Sequence, residues 1–75
     1  MTKTEKLAAV MDYIQRNETL AKSLSELKFN GVEKKIVLIR NETYWSSASK
    51  EFYAFIQELG LDYYFSKAKT MHIFA

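Results

Sequence analysis

The sequence predicts a small α+β domain in which a three-stranded mixed sheet packs against two or three helices. Three observations carry that expectation. Apolar residues recur at helical spacing near the start of the chain and again between residues 45 and 59. An aliphatic run, KKIVLIRN, stands between charged residues, and the tail LDYYFSKAKTMHIFA alternates apolar with polar positions. The expected order is helix (one or two), strand, helix, strand, strand. A chain of 75 residues forms one domain, here with a helical part over residues 1–30 and a strand-helix-hairpin part over residues 33–75.

Each element has its own warrant. Within Thr4 to Arg16, the residues Leu7, Val10, Met11 and Ile14 share one helical face, and Thr2 with Glu5 fits a capping box at its start. Leu20, Leu24 and Leu27 form a second stripe, offset from the first at Asn17. A second helix capped by Asn17, or a bend there, accounts for the offset. The four branched aliphatics of KKIVLIRN predict a strand buried on both faces at the centre of the sheet. Trp45, Ala48, Phe52, Phe55, Ile56 and Leu59 then form one helical stripe ending at Gly60, with Asn41, Ser46 and Ser47 as candidate caps. Both glycines, Gly31 and Gly60, are expected just past helix ends.

In the tail, Leu61, Tyr63 and Phe65 face one way and should pack with Met71 and Ile73. A tight loop around Ser66 to Lys69 joins the two strands, and the last strand lies either between the other two or at the edge. The tetrapeptide RNET occurs at residues 16–19 and 40–43, and shared helix-start chemistry explains it better than an internal repeat.

Composition excludes several functions. There is no cysteine and one histidine, His72, so no disulfide, thiolate centre or familiar zinc site is expected. The two glycines build no phosphate-cradling loop, and Glu51 and Glu58 suit a solvated helix face better than acid-base work. We expect no enzyme, no catalytic residue, no metal and no cofactor. The opening residues hold no long apolar run, so the expectation is a cytoplasmic protein without a membrane segment, and two Asn-x-Thr sequons are chance matches.

A net charge of +2 is mild for a duplex-DNA binder, so the distribution of charge matters more than its sum. If the first two strands run parallel, Arg40, the start of the second long helix and the Lys67/Lys69 turn converge at one sheet edge. Arg40, Tyr44, Trp45, Ser46, Ser47, Lys67 and Lys69 are therefore the candidate anion or nucleic-acid site, with cations for phosphate and rings for bases. Trp45 also fits the core stripe, and the serines and lysines also suit caps and a soluble edge.

The alternative is a protein-interaction module (an inhibitor, an adaptor or a self-associating dimer) that uses an apolar sheet face. Ile36, Leu38, Tyr64, His72 and Phe74 are its candidate residues. The function expected is a small binding or regulatory module, with nucleic acid preferred over protein as partner.

Overall fold

The computed structural model describes residues 1–75. Three helices, α1 (Lys3–Arg16), α2 (Glu18–Lys22) and α3 (Glu42–Glu58), accompany four strands, β1 (Leu24–Asn30), β2 (Lys35–Arg40), β3 (Asp62–Lys67) and β4 (Thr70–Phe74). No helix is long and apolar enough to cross a membrane.

Helix boundaries follow local chemistry. Thr2 and Glu5 form the capping box, each side chain accepting from the other residue's backbone amide. Those hydrogen bonds from Thr2 hold the Glu5 carboxyl below its ordinary pKa. Asn17 closes α1 and caps α2, its side chain accepting from the Leu20 amide at 3.0 Å. Asn41 caps α3 in the same way, accepting from Thr43 at 2.9 Å. The repeated RNET is thus two copies of one helix-start device.

The sheet is larger than expected and differently paired. It has four strands in the order β1-β2-β4-β3, and every neighbouring pair is antiparallel. Strands β2 and β3 do run parallel to each other, but β4 lies between them, so the sheet is not mixed. The last strand takes the inner of its two expected positions.

The extra strand is β1, which the leucine spacing had assigned to a helix. A bulge at Ser25 explains the confusion. It shifts the register so that Leu24 lies opposite Arg40 and Leu27 opposite Leu38, on one face of the sheet. A three-residue apolar spacing, normally a helical sign, here belongs to a bulged strand. Gly31 consequently sits in the β1–β2 turn and not at a helix end, whereas Gly60 follows α3 at φ +73°.

One apolar cluster holds the fold together. From the sheet it takes Ile36 and Leu38 of β2 with Met71 and Ile73 of β4; from the helices it takes Leu7, Val10, Ile14, Leu20, Trp45, Ala48, Phe52 and Ile56. Because side chains alternate along a strand, these four sheet residues share one face, and all three helices lie against it. Strand β2 is central as expected, yet only one of its faces is covered: Ile36 and Leu38 are fully buried, Val37 and Ile39 only half-buried. Tyr13 of α1 stacks on Phe55 of α3 at 4.4 Å and joins the two long helices above the core.

The two glycines should respond differently to alanine. Gly60→Ala forces a left-handed backbone on a residue with a Cβ and should lower stability by about 1 kcal/mol. Gly31→Ala, with no positive φ and only an ordinary contact to Phe29, should change little. Urea unfolding of both variants checks the contrast.

Candidate functional site

The C-terminal end of β2, the start of α3 and the β3–β4 turn do meet at one edge of the sheet. The Arg40 amide donates to the Lys69 carbonyl at 2.8 Å, which ties the end of β2 to the hairpin turn. On the other side, the Asn41 amide donates to the Ser23 carbonyl and anchors the entry to β1.

The candidate anion-site residues nevertheless separate into groups. Arg40 shares the helix-covered face with Ile36 and Leu38. Its guanidinium lies 5.8 Å from the Trp45 ring and 5.3 Å from the Phe65 ring, and reaches Glu42 at 3.7 Å. Its Nε is enclosed with no hydrogen-bond partner. Trp45 is only 4% exposed and packs edge-on to Phe52 and Tyr53, so it is part of the core and presents no ring to a ligand.

At the head of α3, Asn41 already caps the helix and Glu42 places an acid in the first turn, which opposes an incoming anion. Ser46 and Ser47 lie inside the helix and are exposed; Ser47 Oγ donates to the Tyr44 carbonyl at 3.0 Å. Tyr44 is exposed as well, as are Lys67 and Lys69, and neither lysine has an ion-pair partner.

The second candidate set divides by strand parity. Ile36 and Leu38 belong to the core and are unavailable to a partner. Tyr64, His72 and Phe74 point to the opposite face, where no helix lies. There the Tyr64 and His72 rings stack at 4.6 Å with planes 3° apart, and Phe74 meets Tyr64 edge-on at 5.8 Å. Tyr64 is the most accessible of the three, at 49% exposure. The Tyr63–Phe65 side of β3 instead turns toward the helices, where Tyr53 stacks on Tyr63 at 4.9 Å and burial pushes the Tyr53 phenol above its ordinary pKa.

A second bulge joins the two candidate sets. The β3–β4 register shifts between Phe65 and Lys67, so Lys67 lies opposite Thr70 and faces the same way as Tyr64, His72 and Phe74. Without the extra residue it would share the face of Tyr63 and Phe65. Ser66, the inserted residue, has its Oγ 2.8 Å from His72 Nε2, which pins the bulge to the ring row.

No protein-family model matches this chain, and neither a curated protein nor a solved structure does.

The open face therefore rests on its own geometry. Val37 and Ile39 of β2 continue it beside His72 and Thr70, two positions the continuous aliphatic run concealed. Across β1 and β2 its charges are matched, Lys28 to Glu26 at 3.1 Å and Lys35 to Glu33 at 2.9 Å. The hydrogen bond to Glu33 raises the Lys35 pKa, so that cation is engaged. The surface depressions of the molecule lie on the helical side and around β1, and none is lined by a residue of either candidate set.

Arg40 has a structural role that can be measured. Arg40→Lys keeps the charge but loses the planar group held over two rings, and should lower stability by about 1 kcal/mol. The Trp45 fluorescence maximum, read in the same unfolding experiment, should shift as its cover changes.

Proposed function

We propose that the chain is a small non-enzymatic binding module that holds single-stranded nucleic acid against the open face of its sheet. The observation that carries this reading is the row of rings formed by Tyr64, His72 and Phe74, opposite all three helices and continuous with Lys67. Bases stack on aromatic faces whatever their identity, and nearby cations take the phosphates. Lys67 and Lys69 are free cations at the end of the row, and Ser66 and Thr70 add hydroxyls beside it.

Lys28 and Lys35 are paired to acids, so few phosphates are neutralised and affinity should be modest. A regulatory role in the cytoplasm belongs to the same proposal. A second reading, a protein partner on this face, is favoured by a different observation: the charges across β1 and β2 are balanced around half-buried Val37 and Ile39.

Fluorescence anisotropy with short labelled RNA and DNA strands tests the nucleic-acid reading. Affinity should fall as salt rises, and Lys69→Gln should flatten the log–log salt slope by about 0.7. Tyr64→Ala should weaken binding by roughly tenfold while Tyr64→Phe retains it, as expected for loss of one stacking surface. Absent binding at low salt, or binding indifferent to both salt and Tyr64→Ala, rejects the reading.

A further inference from the structure

Strand β3 is an edge. It pairs only with β4, and the remaining backbone N–H and C=O groups on its outer side have no partner in the chain. Its middle, Tyr63-Tyr64-Phe65, carries no charge and no proline, whereas edges that resist pairing usually place charge there. Charge stands only at its two ends, with opposite signs: Asp62 at one and Lys67 at the other. Both are exposed, and neither belongs to any ion pair.

The other edge, β1, is different. Glu26 and Lys28 lie mid-strand and neutralise each other within the chain at 3.1 Å, which leaves nothing to be satisfied by a partner.

We infer that β3 pairs antiparallel with β3 of a second copy of this chain, joining two sheets into one. The charge pattern sets the geometry. A two-fold axis normal to the sheet keeps the helices of both copies on one side and requires opposed residues to share a face. With Tyr64 on the axis, Tyr63 meets the second copy's Phe65 on the helix side. Asp62 meets the second copy's bulged Ser66–Lys67 segment on the open side. The bulge matters here too, because it is what carries Lys67 onto the face that Asp62 occupies.

Asp62 and Lys67 each find their opposite, twice per dimer, so that Lys69 is the hairpin cation left for a phosphate, and the ring rows of the two copies become neighbours on one continuous open face. Self-association is also a common device by which a small chain without disulfides gains a sufficient core.

Light-scattering chromatography of the pure protein, without nucleic acid, across a concentration series tests this. The native protein should reach twice the 8.8 kDa of the single chain. Asp62→Lys alone places like charges at both ends of the ladder, and so does Lys67→Asp alone, so each variant should run as a monomer. An equimolar mixture of the two variants should dimerise again, because opposite charges then face each other at both ends. Recovery on mixing distinguishes a broken interface from a broken fold. A native protein that stays monomeric at its highest soluble concentration overturns the inference. So do single variants that dimerise like the native chain, or a mixture that fails to recover. None of these outcomes depends on whether the open face binds nucleic acid.

Discussion

Burial of one sheet face beneath three helices is the constraint from which the rest of the molecule follows. Ile36, Leu38, Met71 and Ile73 alternate with residues that must point the other way, and all three helices lie on the side of the first four. Burying each such side chain contributes about 1.5–3 kcal/mol, so the covered face holds its register firmly. A slip by one residue along β2 or β4 would exchange Leu38 for Val37 and Ile73 for His72 in the core. The row of rings on the other face therefore takes its register from the core. A surface that must keep its side chains in line gains that order from the packing on its other side.

Two bulges refine this simple alternation. At Ser25 an extra residue lets both Leu24 and Leu27 reach the covered face, so β1 contributes to the core despite their odd spacing. At Ser66 the extra residue turns Lys67 away from the covered face, and a cation arrives where an uninterrupted strand would have directed it toward the helices. Arg40 takes the complementary place. It closes the end of the core between Trp45 and Phe65, so the positive charge of this sheet end is divided between a structural cation on the covered face and Lys67 on the open one.

Much of this was legible in the sequence, for identifiable reasons. The capping residues Thr2 and Asn17 act on amides a few positions away, so local pattern suffices to read them, whereas at α3 it left Asn41, Ser46 and Ser47 as alternatives, of which Asn41 is the cap. The stripe from Trp45 to Leu59 and the alternation of Tyr63, Met71 and Ile73 report burial directly, whereas Phe65, expected to pack with them, stays exposed at the strand edge. Strand β1 was hidden because its bulge imitates helical spacing. The open character of the face bearing Val37 and Ile39 was hidden because apolar residues occupy both sides of β2, and only the count of covering elements reveals which side is bare. The candidate sets were mixed for a related reason. Grouping Ile36 and Leu38 with Tyr64, His72 and Phe74 requires knowing the register between β2 and β4, and grouping Trp45 with the lysines requires knowing that its ring turns inward. The position of Lys67 depends on a one-residue insertion that no periodicity announces.

The most direct test of the central claim is a residue-resolved titration. Isotope-labelled protein, titrated with a short single-stranded oligonucleotide and followed by amide and aromatic chemical shifts, locates the contact surface without any substitution. Shifts concentrated on Val37, Tyr64, His72, Phe74 and the Lys67–Lys69 turn, with α1 and the outer face of α3 unmoved, are the predicted result. Shifts confined to the helical side, or no shifts at low salt, would contradict the assignment of the open sheet face as the binding surface.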